Sequence, residues 1–210
     1  MKVVVLVSSG IDSPVAARFI SEYAEELFLV HADIQPYSDD QETKTFLSIA
    51  QHLSTIMQHS ITTFTVSHGP ALKSYLNKAN KRYTCIFCKR MLIRYADEIA
   101  KRQGASAIVM GDSLGQVASQ TLQNIRVIDA VTTYPILRPL LGLDKEDIIY
   151  HAKKMGTFSL STTQMKSCQA VPNKPATQAK LNAVIAEEKK IAIDQITTNA
   201  MNNAKKITFN

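Results

Sequence analysis

The chain has no tryptophan and only three cysteines among its 210 residues. Glycine and proline number seven each and no low-complexity tract is present, which excludes collagen-like and intrinsically disordered proteins. Its apolar runs are too short for a membrane span or for the h-region of a signal peptide. Three cysteines, an odd number, argue against a disulfide framework. These absences predict a cytoplasmic globular protein without a membrane partner, in which the cysteines serve chemistry.

Short runs of β-branched residues and leucine alternate with helical patterns. Continuous apolar runs of this kind are typical of strands buried on both faces of a parallel sheet. The predicted strands are Val3 to Val7, Leu27 to Ala32, Ile61 to Val66, Ala107 to Met110 and a fifth at Ile125 to Asp129. The alternation predicts an α/β fold with a doubly wound parallel sheet, whose ligand cleft lies at the carboxyl ends of strands one, two and four.

Apolar spacing and capping residues predict the helices and the boundaries of the domain. The helices are expected at Pro14 to Glu22, Asp39 to Met57, Ala71 to Lys78, Cys88 to Gln103 and Lys145 to Met155. An irregular loop then precedes a polar helical tail with a weak apolar stripe. We therefore expect one domain over residues 1–175 and a tail over 176–210, which packs on a partner or on a second subunit of a homodimer.

The loop Ser8 to Ser13 joins the first strand to the first helix. Small residues at a helix N-terminus point several backbone N–H groups at one place, which is a ready anion site. Asp12 would repel an anion there unless Mg²⁺ joined its carboxylate to a phosphate. The alternative is an ordinary turn in which Asp12 caps the helix.

This loop resembles the Ser-Gly-Gly-x-Asp-Ser signature of the PP-loop ATP pyrophosphatases, with Ser9 in place of the first glycine. In that superfamily the loop grips the pyrophosphate of ATP and the reaction is adenylation. The resemblance therefore implies ATP binding by Ser8, Ser9, Gly10, Ile11, Asp12 and Ser13.

Four further segments resemble one branch of that superfamily, the 4-thiouridine synthetases (ThiI). They are Asp12 to Ala16, Lys89 to Arg94, Gly111 to Thr121, and Arg138-Pro139-Leu140 followed by Asp144-Lys145-Glu146. The resemblance implies ATP-dependent thiolation of a uridine in transfer RNA. Two alternatives stay open, namely another PP-loop ATP pyrophosphatase that thiolates a different tRNA base or amidates a small molecule, and a nucleotide-binding module without catalysis.

The same resemblance implies roles for individual residues. Nucleotide contacts are expected at Leu6, Val7, His31, Ala32, Lys89 or Arg90, Gly111 and Gln120. Asp112 would hold the ribose or Mg²⁺, or else cap a helix, and Lys145 would neutralise charge on the phosphates during catalysis. The alternatives are plain core positions for the apolar residues, a strand-end histidine for His31 and a solvated lysine for Lys145.

Basic residues are concentrated in one part of the chain. Residues 73–102 contain nine of the 24 lysines and arginines but two of the 18 acidic residues, so this segment carries the whole net charge of +6. Such a segment indicates a polyanionic partner, and we predict tRNA contacts at Lys81, Arg82 and Arg94. The chain shows no THUMP-type RNA-binding region or rhodanese domain, so a separate THUMP-type protein is the alternative route to tRNA.

Two cysteines form the motif Cys85-Ile86-Phe87-Cys88, and Cys168 lies far along the chain. A zinc site would need a histidine such as His68 as a fourth ligand, whereas an iron–sulfur cluster or persulfide chemistry needs no histidine. The chain resembles the archaeal family members that lack rhodanese, which implies a cluster on these three cysteines, Cys168 as the catalytic cysteine, and sulfide or persulfide as the donor. We also expect a low pKa for Cys88 at the start of a helix beside Lys89 and Arg90.

Overall fold

The computed structural model describes residues 1–163 and 166–210. Its strands are β1 (Lys2–Leu6), β2 (Glu26–Asp33), β3 (Ile61–Ser67), β4 (Ala107–Met110), β5 (Ile136–Leu137) and β6 (Lys205–Phe209). Its helices are α1 (Asp12–Ser21), α2 (Gln41–Met57), α3 (Gly69–Lys78), α4 (Thr84–Gln103), α5 (Leu122–Asp129), α6 (Lys145–Lys154), α7 (Phe158–Ser161), α8 (Leu181–Glu188) and α9 (Ile193–Asn202). None of the helices in these ranges is long and apolar enough to cross a membrane.

The six strands form one sheet in the order β5-β4-β1-β2-β3-β6, parallel except for β6. Alternate residues of β1 enter two different cores, because successive side chains of a strand point to opposite faces. Val4 packs with α4 on one face, and Val3 packs with α2 on the other. The predicted doubly wound α/β fold is confirmed.

The central strands end at a common edge. Leu6 pairs with Val30 of β2 and with Met110 of β4, so the residues that follow these strands emerge side by side. This edge is the carboxyl edge of the parallel sheet, where doubly wound folds bind their ligands. The predicted meeting of strands one, two and four is therefore confirmed.

The predicted fifth strand at Ile125 to Asp129 is wrong, since the segment belongs to helix α5. Thr121 caps this helix by accepting a hydrogen bond from the backbone N–H of Asn124 at 3.2 Å. Val127 and Ile128 are then buried on its inner side. The fifth strand is instead the short β5, which pairs with β4.

Helix α4 begins at Thr84, four residues before the predicted start at Cys88. A short 3-10 turn at Lys81–Tyr83 leads into it, and the Thr84 hydroxyl donates to the carbonyl of Lys81 at 2.7 Å. Phe87 is buried and stacks on Tyr75 of α3, with ring centroids 4.1 Å apart. This packing keeps the CxxC motif helical, so both of its cysteines lie in the first turns of α4.

The C-terminal segment holds a strand as well as helices. The sequence predicted only a polar helical tail, but β6 follows α8 and α9 and pairs with β3 in antiparallel register. The short, largely polar sequence of β6 is a weak signal for a strand, which explains why the sequence predicted no strand there. The domain boundary at residue 175 stays a prediction, although residues beyond it complete the sheet.

A buried ion cluster ties α8 to α4. Glu188 accepts hydrogen bonds from Arg90 at 2.7 and 2.9 Å, and from Arg94 at 3.1 and 2.8 Å. Arg90 and Glu188 are only 3% and 6% exposed. Burial alone would raise the pKa of Glu188, but the hydrogen bonds from Arg90 and Arg94 hold it below its usual value. The cluster thus fixes the orientation of the helix that carries Cys85 and Cys88.

Replacing Glu188 by alanine leaves Arg90 buried without its partner. We expect Glu188→Ala to lower the free energy of unfolding by about 3–5 kcal/mol, the usual cost of breaking a buried pair from one side. Urea titration measures this change. Glu98→Ala is the matched control, because Glu98 makes a solvent-exposed pair with Lys101 on the same helix, and its loss should cost less than about 1 kcal/mol. Equal effects of the two substitutions would contradict the structural role of the cluster.

Candidate active site

The loop after β1 is held by serine hydroxyls. The Ser13 hydroxyl accepts from the backbone N–H of Ser8 at 2.9 Å and lies 3.1 Å from the Ser8 hydroxyl. The backbone N–H of Gly10 donates to Oγ of Ser8 at 3.2 Å. These bonds curl the predicted segment Ser8 to Ser13 over the N-terminus of α1, where Ser9 is also buried. The result is a compact loop at the positive end of a helix, as an anion site requires.

Gly111 presses against this loop from the end of β4. A Cβ at position 111 would lie 2.6 Å from Cα of Ser13 and 2.8 Å from its backbone nitrogen. Both are backbone atoms and have no freedom to move aside. Only glycine therefore allows β4 and α1 to approach this closely, which explains why the Gly111 to Thr121 segment begins with it.

Lys145 reaches the loop from α6. Its Nζ forms an ion pair with Oδ1 of Asp12, and both side chains are partly exposed. Asp144 caps α6, since its side chain accepts a hydrogen bond from the backbone N–H of Asp147 at 2.9 Å. Packing of Val15 on α1 against Ile148 on α6 holds the two helices together. Asp12 and Lys145, two of the three predicted catalytic residues, thus meet at one point across 133 positions of sequence.

Asp112 is the centre of a second charged group. This residue is only 5% exposed. Its Oδ1 forms an ion pair with Nζ of Lys89 at 2.6 Å, and its Oδ2 forms one with Nε of Arg138 at 3.3 Å. Burial by itself would raise the pKa of Asp112, but Lys89 and Arg138 hold it below its usual value. Gln120 also points to Oδ1, at 3.4 Å. Asp112 therefore does not cap a helix here; it joins α4 to the end of β4.

Arg138 and Asp129 are site residues that the sequence analysis missed. Besides its contact with Asp112, Arg138 donates two hydrogen bonds to the carboxylate of Asp129, from Nη1 at 2.9 Å and from Nη2 at 2.5 Å. The Arg138-Pro139-Leu140 motif was noted without a role for the arginine. No local signal marks Asp129, since its pairing depends on the position of β5 beside β4.

His31 is enclosed at the end of β2. Its Nδ1 lies 3.1 Å from the carbonyl of Val7, Nε2 lies 3.4 Å from the Thr43 hydroxyl, and the ring stacks on Phe46 with centroids 4.6 Å apart. Burial lowers the pKa of His31 to about 4, so it is neutral at pH 7. At 1% exposure it supports the end of β1. The side chain of His31 therefore fits the strand-end alternative, and a nucleotide contact through its backbone stays a prediction.

Leu6 and Val7 are buried, and Ala32 is half-buried at the same edge of the sheet. Their side chains belong to the two faces of the sheet, so only their backbone is available for the predicted nucleotide contacts. Val7 already donates its N–H to the carbonyl of Val30 at 2.9 Å. These three contacts stay predictions.

The basic residues of α4 divide into two groups. Lys89 faces Asp112 at the edge of the cleft, whereas Arg90 and Arg94 bind Glu188. A buried carboxylate far along the chain thus engages both guanidinium groups, which favours Lys89 over Arg90 at the nucleotide, and the tRNA contact of Arg94 stays a prediction. Lys81 and Arg82 are exposed, as tRNA contacts require.

The three cysteines come together in space. Cys85 and Cys88 lie on α4, and Cys168 lies in the loop before α8. Two backbone hydrogen bonds hold this loop in place. The N–H of Gln169 donates to the carbonyl of Tyr37 at 2.8 Å, and the N–H of Ala176 donates to the carbonyl of Arg82 at 3.0 Å. Cys168 is close enough to raise the pKa of both other thiols. The predicted convergence is thus supported.

The predicted low pKa of Cys88 is wrong. Burial first, and then the neighbouring Cys168 and Cys85, raise the pKa of Cys88 to about 12. The cations expected to lower it are engaged elsewhere, Lys89 by Asp112 and Arg90 by Glu188. Because the folded pKa is raised, the thiol form persists through neutral pH.

Cys168 has its own local environment. Burial raises the pKa of Cys168, partly offset by hydrogen bonds from the backbone N–H groups of Ala170 and Val171, and the Glu42 carboxylate raises it further. Burial likewise raises the pKa of Glu42. Glu42 was missed by the sequence analysis, because nothing in its own segment distinguishes it from a solvated residue in the first turn of α2.

His68 does not complete a zinc site. It is fully buried, with Nδ1 3.2 Å from the Tyr95 hydroxyl, and burial lowers the pKa of His68 to about 4. Among residues 1–163 and 166–210, no group of three or more His, Cys, Asp or Glu side chains is placed to hold a metal ion. The thiols therefore approach one another without reaching ligand distance.

A family model described as "Thiamine biosynthesis protein (ThiI)" matches residues 1–193. The chain belongs to the ThiI family. Among its relatives, a "Probable tRNA sulfurtransferase" of Methanosarcina mazei is 38% identical over 205 residues, which are 97% of this chain and 51% of the relative. A protein of the same name from Thermococcus kodakarensis is 41% identical over 174 residues, or 83% of this chain and 46% of the relative. This ThiI chain spans about half the length of the curated relatives it matches.

Solved structures agree with the family. A 4-thiouridine synthetase in complex with RNA and bound ATP superposes with a TM-score of 0.95 at 30% identity, covering 100% of this chain and 55% of that one. An NMN synthetase from Francisella tularensis superposes with a TM-score of 0.60 at 15% identity, covering 96% of this chain and 83% of that one, which shows the fold alone. The fold is that of the PP-loop ATP pyrophosphatases.

Gly111→Ala should disrupt the loop without removing any polar group. The new Cβ would lie 2.6 Å from Cα of Ser13, so the loop must shift, and we expect at least about tenfold weaker binding of ATP, since a misplacement of about 1 Å at such a site is already costly. Isothermal calorimetry measures it. Gly142→Ala is the matched control, because a Cβ there meets nothing within 4 Å. Equal ATP affinity in the two variants would contradict the close approach of β4 to the loop.

Proposed function

We propose that this ThiI chain adenylates a uridine of tRNA with ATP and then exchanges the activated oxygen for sulfur, which makes 4-thiouridine. One observation carries the proposal. Lys89, which directly follows Cys88, binds Asp112, which directly follows the Gly111 that touches Ser13 of the loop. The candidate sulfur residues and the candidate ATP loop therefore belong to one site, as a two-step activation and thiolation requires.

Adenylation follows from the groups at the loop. The N-terminus of α1 and the serine hydroxyls bind the β- and γ-phosphates, and Lys145 stabilises the charge that develops as pyrophosphate leaves. Asp12 is a partly exposed carboxylate that already attracts a cation, so it fits a Mg²⁺ ion, which would neutralise the phosphates when bound. The uracil carbonyl oxygen attacks the α-phosphate, and the bond to pyrophosphate breaks.

Sulfur transfer follows from the three thiols. The terminal sulfur of a Cys168 persulfide attacks the activated ring carbon, and the carbon–oxygen bond to AMP breaks. A thiol of Cys85 or Cys88 then attacks Sγ of Cys168, forms a disulfide and leaves the sulfur on the ring. A persulfide donor supplies the sulfur, and a dithiol reductant restores the cysteines.

An iron–sulfur cluster is the other way to use the same thiols. The donor set fits a cluster in number and type, because three thiolates leave one iron open for hydrosulfide. The thiols as placed are not gathered to ligand distance. We therefore derive no step through a cluster, and its presence stays a prediction.

The partners follow from the same reaction. We infer tRNA as the polymeric substrate, a persulfide carrier as the sulfur donor to Cys168, with sulfide as the donor only to a cluster, and the cytoplasm as the location. Superposition on a 4-thiouridine synthetase in complex with RNA supports the first of these. A separate THUMP-type protein and a homodimer stay predictions.

The function is tested in a strain that lacks the gene. Its tRNA nucleosides, analysed by mass spectrometry, should lack 4-thiouridine, and the wild-type gene should restore it. Asp12→Asn should restore it at least about a hundredfold more slowly, since loss of one charge-stabilising group usually costs this much. Asp40→Asn is the matched control, because Asp40 makes an exposed surface pair with Lys44. Unchanged 4-thiouridine in the deletion strain would refute the function.

The three cysteines are expected to serve sulfur transfer and not ATP binding. Cys168→Ala, and the double variant Cys85→Ala with Cys88→Ala, should each abolish thiolation while calorimetry shows unchanged ATP affinity, because the thiols lie on the α4 side of the cleft. Ser167→Ala is the control for the loop of Cys168. Brown colour in anaerobically purified protein, with iron and sulfide in the stoichiometry of a cluster, would show that the thiols hold a cluster instead. A colourless protein that stays active in the double variant would eliminate the cluster and leave Cys168 as a lone persulfide carrier.

A further inference from the structure

The basic segment 73–102 is less positive at its C-terminal end than its composition indicates. Four of its nine basic residues are bound by carboxylates within the structure, namely Lys89, Arg90, Arg94 and Lys101. The other five are exposed and have no ion-pair partner among the described residues: Lys73, Lys78, Lys81, Arg82 and Arg102. Four of these five precede Cys85. The unpaired charge is thus concentrated where α3 ends and α4 begins.

A second stretch of chain adds to this charge. The loop that follows Cys168 carries Lys174 and Lys180, both exposed and without an ion-pair partner in the described part of the chain. It lies against the start of α4, because the N–H of Ala176 donates to the carbonyl of Arg82 at 3.0 Å. We call the five residues Lys78, Lys81, Arg82, Lys174 and Lys180 the basic strip.

The nearby acidic group does not neutralise the strip. Glu187 accepts the backbone N–H of Asn80 at 2.7 Å and Nζ of Lys190 at 2.8 Å, so its charge is already compensated. Asn80 in turn uses its side chain to accept the N–H of Arg82 at 3.1 Å, which fixes the 3-10 turn that presents Lys81 and Arg82. The strip therefore has a fixed backbone and free cationic side chains.

Residues of the basic strip lie close in sequence to two of the three cysteines. Arg82 lies three residues before Cys85, and Lys174 lies six residues after Cys168. A uridine that receives sulfur must leave its base stack to reach these thiols, and the phosphates on either side of it must then lie at the rim of the site. Exposed lysine and arginine without carboxylate partners are the groups that bind such phosphates.

We propose that the basic strip is the surface on which tRNA lies while its uridine enters the sulfur site, in place of the α4 face with Arg90 and Arg94. This inference rests on the proposed function, since it identifies how the substrate of that same site is held. The strip binds the sugar-phosphate backbone, so it positions the RNA and does not read its sequence.

The test compares two variants of the full chain that lose the same charge. The strip variant carries Lys81→Gln, Arg82→Gln, Lys174→Gln and Lys180→Gln. The control carries Lys101→Gln, Arg102→Gln, Lys153→Gln and Lys154→Gln. These four residues are exposed at the C-terminal ends of α4 and α6. The end of α4 is about 30 Å from its start, near the first residue of β1.

Fluorescence anisotropy with labelled tRNA at several salt concentrations gives the affinity and its salt slope. Each lost phosphate contact should reduce the slope by about 0.7–0.9, so the strip variant should lose about three units and bind at least about tenfold more weakly at 0.1 M salt. The control should keep the wild-type slope, and both variants should bind ATP normally.

Equal slopes in the strip variant and the control, or no binding of tRNA by the wild-type chain, would overturn the proposal. Failure of the proposed function is recognised separately, because the deletion strain would then keep its 4-thiouridine whatever the binding data show.

Discussion

The ion pair between Lys89 and Asp112 is the contact on which the candidate site depends. It joins the helix of the two neighbouring cysteines to the segment after β4, whose Gly111 lies against the candidate ATP loop. The pair is mostly buried, and Arg138 with Asp129 supports it from the far side. The charge of Lys89 lowers the pKa of Cys88, but burial is the largest cause and raises it. The pair thus holds the two candidate half-sites together, beside a thiol that burial keeps protonated.

The fold surrounds this pair with rigid elements. β1 is buried on both faces, and its end is supported by the neutral ring of His31. On the opposite side of α4, the buried cluster of Arg90, Arg94 and Glu188 attaches the helix to the C-terminal segment. On one side of α4 the charged residues thus attach the helix to the C-terminal segment, and on the other Lys89 faces the candidate site.

The sequence was sufficient for the elements whose signal is local. β1 to β4 and the loop Ser8 to Ser13 follow from apolar runs and turn chemistry. The start of α4 was missed because Tyr83 offers no capping side chain. The pairing of Arg94 with Glu188 joins residues 94 positions apart, so composition alone placed this arginine among the predicted tRNA contacts. One usable signal was overlooked, since Leu181, Val184 and Glu188 share one helical face and mark the carboxylate as buried.

Adenylation of the uridine requires the uracil oxygen to end in AMP, and an ¹⁸O label in that oxygen measures this transfer directly. Transfer RNA whose target uridine carries ¹⁸O at the carbonyl is incubated with ATP, a sulfur donor and the protein supplemented with any partner it needs. Mass spectrometry of the products should find the label in the phosphoryl group of AMP, with one AMP and one pyrophosphate formed for each 4-thiouridine. Label in inorganic phosphate, with ADP as the nucleotide product, would show phosphorylation of the uridine and contradict adenylation at this loop.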